Sequence, residues 1–313
     1  MKTKIVYVLV SNKGDYYSEL LLLSLYSLRL YHPDVTADVI MDEDTRRRLV
    51  RENSPILKEV HPVIVPTPNG YSTTLRSRYL KTKLRDIITG DFLFLDTDTI
   101  VVGSLESVDN IISDIAAVWD NHDGEFFKDQ SEPKEWSSLF PVKRFNSGVL
   151  FVKDTTAAHL FYQQWHENWK YCVSRGCHFD QPGFRKAYAE SGIEIEQMSG
   201  IWNCQVTRAT SAPFIDDAKV LHYQRAGAVI SFFGHSIRKK GKVCDYAASF
   251  VKNARYFFSG HNLYLTTLEY EALDSFRYTL FNYPRFFRFL SALSKAHSRL
   301  IEFLVMAKGQ FRQ

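Results

Sequence analysis

The stretch Asp91-Phe92-Leu93-Phe94-Leu95-Asp96-Thr97-Asp98 decides the fold, because it joins a wholly apolar run to a pair of carboxylates. Four consecutive apolar residues are typical of a strand buried on both faces. Two carboxylates at the end of such a strand cost desolvation and mutual repulsion, and a bound divalent cation relieves both costs. A hard cation held by few carboxylates keeps positions open for phosphate oxygens. The stretch therefore favours a metal-bridged diphosphate site, although Asp96-Thr97-Asp98 alone is also typical of a plain turn.

Strand and helix patterns alternate through the first hundred residues. Apolar runs at 5–10, 37–41, 60–65 and 92–95 are separated by helical patterns at 18–31, 44–52 and 71–88. Such alternation predicts a doubly wound, mostly parallel sheet. Ligands of these sheets bind beyond the carboxyl ends of the strands, where both Ser11 and the Asp96–Asp98 pair are placed.

The second half of the chain shows a looser pattern. We predict strands at 115–119, which runs into Asp120, and at 219–221, just before His222. A polar turn at Asn146-Ser147-Gly148 leads into a further apolar strand. Helices are predicted at 154–171, with Asp154 or Thr155 as a cap, and at 180–188.

The composition is ordinary for a globular enzyme, with 313 residues, 45% hydrophobic and 24% charged. The net charge of +4 is unevenly placed, because seven basic residues and one acidic residue lie from Ser275 onward. We predict a catalytic domain at 1–242 and a basic, aromatic, helical extension at 243–313. The extension fits an amphipathic helix on an anionic membrane surface, or a helical pair packed on the main domain or on a second subunit of a homodimer. It carries no recognised nucleic-acid motif, so no nucleic-acid partner is expected.

The opening apolar run is too short for a secretory signal core, and no stretch of about 18 apolar residues predicts a transmembrane helix. We therefore expect a cytoplasmic protein, with peripheral attachment to the inner face of a membrane as the alternative. Reduced thiols are the default for the four cysteines. Cys172-x4-Cys177-His178 lacks an evident fourth ligand for zinc.

Several short motifs occur in order along the chain: an opening strand and polar loop with Tyr16, His32-Pro33-Asp34, Phe94-Leu95-Asp96-Thr97-Asp98, Phe145-Asn146-Ser147-Gly148-Val149, Asp180-Gln181, Trp202-Asn203 and Leu221-His222-Tyr223. Each is weak alone. Together, over about residues 4–224, they resemble the GT-A glycosyltransferases, and within them family 8. The resemblance implies a Rossmann-like GT-A fold, with the helical extension lying outside it.

The resemblance also implies a metal site and a nucleotide-sugar site. Asp96, Asp98 and His222 would ligate Mn²⁺, with Mg²⁺ as the alternative, and mixed carboxylate and imidazole ligands suit Mn²⁺. The nucleotide-sugar donor would lie against Val8, Leu9, Val10, Ser11, Tyr16, Arg78, Thr97 and the two aspartates. Lys81 is the second choice for the basic residue on that helix. The transferred sugar would be surrounded by Asn146, Ser147, Asp180 and Gln181, with Gln181 nearest the anomeric carbon.

Simpler interpretations remain open for single residues. Asp180 is also a plausible helix N-cap, Arg78 a solvated basic residue, and His222 a buried histidine at a strand end. Asp120 is a further carboxylate that could reach sugar hydroxyls. The chain departs from the family after His222, because the expected G-x-x-K-P-W segment is missing. Diphosphate contact would then fall to Arg225 or Lys239, or be weaker.

The expected function is therefore a metal-dependent transfer of sugar from a nucleotide sugar, with UDP as the expected nucleotide, to a saccharide or a lipid-linked acceptor. Retention of anomeric configuration follows from the resemblance. The alternatives are a non-catalytic UDP-sugar-binding scaffold of the same fold and a nucleotidyltransferase. The latter normally carries an early glycine-rich loop, which this sequence lacks.

Overall fold

The computed structural model describes residues 1–13, 17–122, 132–136, 144–206, 209–211, 213–223 and 254. The strands in this part of the chain are β1 (Lys4–Leu9), β2 (Ala37–Met41), β3 (Val60–Ile64), β4 (Phe92–Leu95), β5 (Thr99–Val101), β6 (Ile115–Trp119), β7 (Phe145–Val152), β8 (Ile195–Gln197), β9 (Cys204–Gln205) and β10 (Val220–His222). The α-helices are α1 (Tyr17–Tyr31), α2 (Glu43–Arg51), α3 (Ile56–Glu59), α4 (Thr73–Thr82), α5 (Leu84–Ile87), α6 (Thr156–Ser174) and α7 (Gln181–Ser191). The predicted extension at 243–313 lies outside the described residues, apart from Ala254.

The main sheet has seven strands in the order β3-β2-β1-β4-β7-β6-β8. β7 is antiparallel to both of its neighbours, while the other pairs in the sheet are parallel. The prediction of an α/β fold with a mostly parallel, doubly wound sheet is confirmed. In such a sheet the carboxyl ends of β1, β2, β4 and β6 meet along one edge.

Side chains alternate between two apolar layers that cover the two faces of this sheet. In β1, Tyr7 and Leu9 pack with α1, whereas Val6 and Val8 pack with α4 and α6. All four residues of β4 are buried, as expected of a strand between two layers. This double burial explains why β4 reads as an unbroken apolar run.

A second, three-stranded sheet has the order β5-β10-β9. β10 runs antiparallel to β5, and His222 pairs with Thr99 in their register. The backbone N–H of Tyr223 donates to the carbonyl oxygen of Asp98 at 3.2 Å. This register places the end of β10 beside the turn that follows β4.

The structure corrects three local predictions. The helix predicted at 71–88 is divided at Lys83, because the hydroxyl of Thr82 donates back to the carbonyls of Arg78 and Tyr79 and competes with regular helix bonding. The polar residues 146–148 belong to β7 rather than to a turn. The short elements α3, β5, β8 and β9 have no counterpart among the predicted elements.

Of the two residues predicted as the cap of α6, the structure identifies Thr155, whose hydroxyl accepts the backbone N–H of Ala158 at 3.3 Å. Among the described residues, none of the helices is long and apolar enough to cross a membrane.

Candidate active site

Three side chains with metal-ligand chemistry converge where β4 ends. One ligand atom from each of Asp96, Asp98 and His222 lies within 4.8 Å of the others. The two aspartates follow β4 directly, and His222 is the last residue of β10. The imidazole Nε2 lies 3.3 Å from Asp98 Oδ1. The sequence-predicted metal ligands are thus brought together.

The donor set fits a divalent cation that keeps open coordination positions. The side chains of Asp96 and Asp98 are 25% and 29% exposed, whereas that of His222 is 3% exposed. A hard or borderline cation takes carboxylate oxygens and a neutral imidazole nitrogen together. The exposed side of the two carboxylates leaves room for further oxygen ligands such as phosphate.

Gly148 on β7 makes this convergence sterically possible. A Cβ at this position would lie 2.4 Å from His222 Cε1 and 2.9 Å from both Asn146 Oδ1 and Asp96 Oδ2. The carbonyl oxygen of Gly148 also accepts the backbone N–H of Asp96 at 2.8 Å. The absent side chain therefore leaves the space in which the ligands meet.

Burial and the charges of neighbouring residues shift the pKa values of all three proposed ligands. Burial raises the pKa of Asp96; the positive charge of Lys81 opposes this rise and the charge of Asp98 adds to it. Burial acts to raise the pKa of Asp98 as well, but the charge and hydrogen bond of His222 outweigh it, so that pKa is lowered. Burial acts to lower the pKa of His222, yet Asp98 raises it above the usual 6.5.

Lys81 on α4 connects the metal-ligand set to a second carboxylate. Its Nζ lies 3.3 Å from Asp96 Oδ1, 3.3 Å from Asp180 Oδ2 and 3.2 Å from Ser147 Oγ. The side chain is 3% exposed, and its ammonium lies over the ring of Phe94. Within the part of the chain that the structure describes, Lys81, one turn beyond Arg78 on the same helix, is the basic residue in direct contact with Asp96.

Arg78 reaches the same second carboxylate, because its Nε lies 3.0 Å from Asp180 Oδ1. Burial acts to raise the pKa of Asp180, but the charges of Lys81 and Arg78 hold that pKa well below its usual range. Asp180 precedes α7 but makes no side-chain capping bond. The prediction that the Asp180 side chain caps the helix is therefore wrong. Its carboxylate contacts Arg78 and Lys81 instead.

Ser147 and Gln181 complete this side of the site. The Ser147 hydroxyl donates to Asp180 Oδ2 at 3.0 Å, and the Ser147 backbone N–H donates to Gln181 Oε1 at 3.2 Å. The Gln181 amide donates in turn to the carbonyl of Phe145. Ser147, Asp180 and Gln181 thus form one connected polar group, whereas the side chain of Asn146 bonds to Asp120 and Asn203. The contact of these four residues with a sugar stays a prediction.

The residues predicted to line a nucleotide pocket lie at the end of β1. The side chains of Val8, Leu9 and Val10 are buried in the apolar layers. Ser11 is polar and buried, and its hydroxyl accepts Arg48 Nη2 at 2.7 Å. Thr97 is half-buried in the turn between its two aspartates. Tyr16 lies outside the described residues, as do Arg225 and Lys239.

Sequence reasoning missed a polar group at the ends of β1 and β2. Arg76 Nη1 lies 2.6 Å from Asp42 Oδ2, and Arg76 Nη2 donates to Asn12 Oδ1 at 3.3 Å. Arg48 joins Ser11 to Ser18. An available signal was the position of Asp42 immediately after an apolar strand, and of Asn12 two residues after another, the same rule that identified Asp96.

It also missed a strained turn beside Asp120. Asn121 and His122 have φ of 54° and 67°, in the left-handed region that residues other than glycine rarely adopt. Gln205 holds both residues, because its Oε1 accepts the Asn121 N–H at 2.9 Å and its backbone N–H donates to His122 Nε2 at 3.0 Å. Burial lowers the pKa of His122 to about 3, and the charge of His222 contributes. His122 is therefore a neutral imidazole.

No protein-family model matches the chain, and no curated protein matches it. Several solved structures are similar to part of this chain. The galactosyltransferase LgtC, in complex with donor and acceptor sugar analogues, has a TM-score of 0.49 and 16% identity over 71% of this chain and 87% of its own. The apo bifunctional glycosyltransferase WbbM has a TM-score of 0.48 and 16% identity over 71% of this chain. The glycosyltransferase GlyE of Streptococcus pneumoniae TIGR4 has a TM-score of 0.47 and 16% identity over 71% of this chain.

The three structures are glycosyltransferases, and the similarity spans 45% of WbbM and 55% of GlyE. This chain is thus similar to part of each of those two proteins and to most of LgtC.

Replacing Gly148 by alanine should abolish the space between the ligands. We expect Gly148→Ala to weaken Mn²⁺ binding by about 10-fold or more, since displaced ligands lose affinity on that scale. Titration of the free Mn²⁺ signal by electron paramagnetic resonance measures this. Gly103→Ala is the matched control, because its Cβ would meet no atom closer than 3.4 Å. Equal loss in both variants, or loss in neither, would contradict the steric argument.

Mn²⁺ binding should weaken as the pH falls, because the metal requires the neutral imidazole of His222. The pKa of His222 is raised above 6.5 in the folded protein, so the proton persists to higher pH than in a free histidine. Below that raised pKa we expect affinity to fall by about tenfold per pH unit. Mn²⁺ titrations from about pH 6 to pH 9 measure this slope. His222→Gln should bind more weakly and lose the slope over this range; an unchanged slope in that variant would contradict the assignment.

Proposed function

We propose that this protein is a metal-dependent glycosyltransferase that moves a sugar from a nucleotide sugar to an acceptor. One observation carries the proposal. Three metal-ligating side chains, Asp96, Asp98 and His222, meet two basic side chains and a second buried carboxylate at the carboxyl edge of a mostly parallel sheet. This combination suits cleavage of a sugar–diphosphate bond, in which negative charge develops on the diphosphate and positive charge on the sugar.

A divalent cation bound here, which we propose to be Mn²⁺, would stabilise the charge that develops on the departing nucleoside diphosphate. Asp96, Asp98 and His222 would hold it. Lys81 lies 3.3 Å from oxygens of Asp96 and Asp180, and Arg78 lies 3.0 Å from Asp180, where they balance the charges of these carboxylates. Because these groups are oriented before substrate binds, little reorganisation is needed during the reaction.

Asp180 and Gln181 would position the transferred sugar. The Asp180 carboxylate stays ionised because two cations hold its pKa low, so it remains an acceptor for sugar hydroxyls. Its location beside Ser147, next to Gly148 and the metal ligands, suits a sugar attached to the metal-bound diphosphate. We propose that Gln181 lies nearest the anomeric carbon and that the configuration at this carbon is retained.

The nucleotide would lie toward the ends of β1 and β2, and we propose UDP as its identity. Ser11, Arg48, Asn12 and Arg76 form the polar group at these strand ends, whose hydrogen-bonding chemistry suits a ribose and base. The acceptor is proposed to be a saccharide or a lipid-linked glycan.

Release of UDP from UDP-sugars tests the proposal. We expect UDP release from at least one of UDP-glucose, UDP-galactose and UDP-N-acetylglucosamine in the presence of Mn²⁺, and its loss on chelation with EDTA. Asp98→Ala should reduce the rate by at least about 100-fold, because the metal contributes several kcal/mol to the barrier. Asp86→Ala is the control, since this carboxylate lies on α5 in a partly exposed ion pair with Lys83.

Two outcomes would reject the proposal. Binding of UDP-sugars without turnover of any donor would identify a binding scaffold. Formation of a nucleotide sugar from a sugar phosphate and a nucleoside triphosphate, with release of pyrophosphate, would identify a nucleotidyltransferase.

We also propose that the basic segment after Ser275 contacts an anionic membrane surface. Its seven basic residues and single acidic residue support this, because each basic residue near such a surface contributes about 1 kcal/mol. We expect the double variant Arg285→Glu and Arg288→Glu to partition onto phosphatidylserine vesicles at least about 10-fold less than the unaltered chain. Co-sedimentation measures it, with Arg47→Glu on the exposed face of α2 as the control. Equal sedimentation of both variants would remove the membrane role.

A further inference from the structure

A series of buried, hydrogen-bonded side chains leads from His222 away from the proposed metal. His222 Nδ1 lies 2.9 Å from Asn203 Oδ1, and Asn203 Nδ2 donates to Asn146 Oδ1 at 2.9 Å. Asn146 Nδ2 donates in turn to Asp120 Oδ1 at 2.9 Å. Asn203 is fully buried, and Asn146 and Asp120 are nearly so. These hydrogen bonds therefore link the His222 imidazole to the Asp120 carboxylate at the end of β6.

The direction of each hydrogen bond from His222 to Asp120 is determined by groups that can only donate or only accept. The backbone N–H of Gly148 points at Asn146 at 2.9 Å, and because an N–H can only donate, the atom that it meets is the amide oxygen. The other end of the Asn146 amide donates to a carboxylate oxygen of Asp120. Arg144 Nε lies 2.8 Å from the second carboxylate oxygen of Asp120.

The orientation of Asn146 in turn determines that of Asn203. Because Asn146 presents its oxygen, Asn203 must present its NH₂ group there, and its own oxygen then faces His222. An amide oxygen only accepts hydrogen bonds, so His222 Nδ1 must carry a hydrogen. The nitrogen left to bind a metal is Nε2, the one that lies 3.3 Å from Asp98 Oδ1.

We infer that Asn203 is the positioning residue for the metal site, holding His222 in the tautomer and ring orientation that present Nε2 to the cation, and that Asn146 and Asp120 act through it. This inference rests on the proposed function, because it assumes that the cation binds at Asp96, Asp98 and His222. Partners of this kind hold the ring nitrogen that does not bind the metal, and losing one typically reduces metal affinity by about 10–100-fold.

Three substitutions separate this role from a merely structural one. Asn203→Leu removes the acceptor for His222 Nδ1, so we expect Mn²⁺ affinity to fall by about 10–100-fold. Asn203→Asp keeps an acceptor at the same position, so we expect its affinity to stay within about threefold of the unaltered protein, although its melting temperature falls because the bond to Asn146 is lost. Thr45→Val is the control for lost stability, since this buried hydroxyl accepts the Ser11 N–H at 3.1 Å and makes no contact with His222.

Electron paramagnetic resonance titration of Mn²⁺ against each purified full-length variant gives the affinities, and thermal unfolding gives the stabilities. Equal weakening in Asn203→Leu and Asn203→Asp would overturn the inference, as would full affinity in Asn203→Leu. If the unaltered protein bound no Mn²⁺, the proposed metal site itself would fail. The two failures are therefore distinguishable.

A second measurement needs no substitution at Asn203. Long-range ¹H–¹⁵N spectra of the unaltered protein, labelled with ¹⁵N-histidine and loaded with diamagnetic Zn²⁺, report which ring nitrogen carries hydrogen. The His222 signals are identified by their absence in His222→Gln. We expect hydrogen on Nδ1 and metal on Nε2; metal on Nδ1 would overturn the inference even if the Asn203 variants fail to fold.

Discussion

Three carboxylates, Asp96, Asp98 and Asp180, lie buried or partly buried along one edge of the sheet, and the site depends on how their charges are balanced. Uncompensated, such a set would be protonated or would destabilise the fold. Lys81 and Arg78, both on α4, provide most of the balance for Asp96 and Asp180. Two basic residues on a single helix thus offset the carboxylates that meet at the carboxyl ends of the strands.

The antiparallel direction of β7 brings the remaining groups to the same edge. β7 lies between β4 and β6 and pairs with both, so its first residues face the turns at which its two neighbours end. Asn146 reaches Asp120 beyond β6, Ser147 reaches Asp180, and Gly148 bonds to Asp96. With all strands parallel, residues 145–148 would lie at the opposite edge. One reversed strand therefore joins the metal ligands to the groups proposed to hold the sugar.

Local patterns accounted for much of this architecture and not for its long-range details. The alternation of strands and helices, the buried β4 and the placement of Asp96 and Asp98 at a strand end depend on neighbouring residues, and the structure confirms them. The meeting of His222 with the aspartates followed from family resemblance, since it depends on the register of β10 against β5. Chemistry between distant segments, such as Arg144 with Asp120 or Lys81 with Asp180, has no local signal. Asp180 is instructive, because its position before α7 suggested a cap, whereas tertiary ion pairs bind its carboxylate.

The charge balance also implies an order of binding. With His222 protonated and the three carboxylates ionised, His222, Lys81 and Arg78 offset the carboxylates, so these six groups carry no net charge. When a divalent cation takes the place of the His222 proton, the same groups carry one net positive charge. The site with the cation bound repels a diphosphate less than the site without it. The partly exposed Asp96 and Asp98 leave the cation accessible to the diphosphate. Nucleotide binding should therefore follow metal binding, because the carboxylates that hold the cation would otherwise repel the substrate.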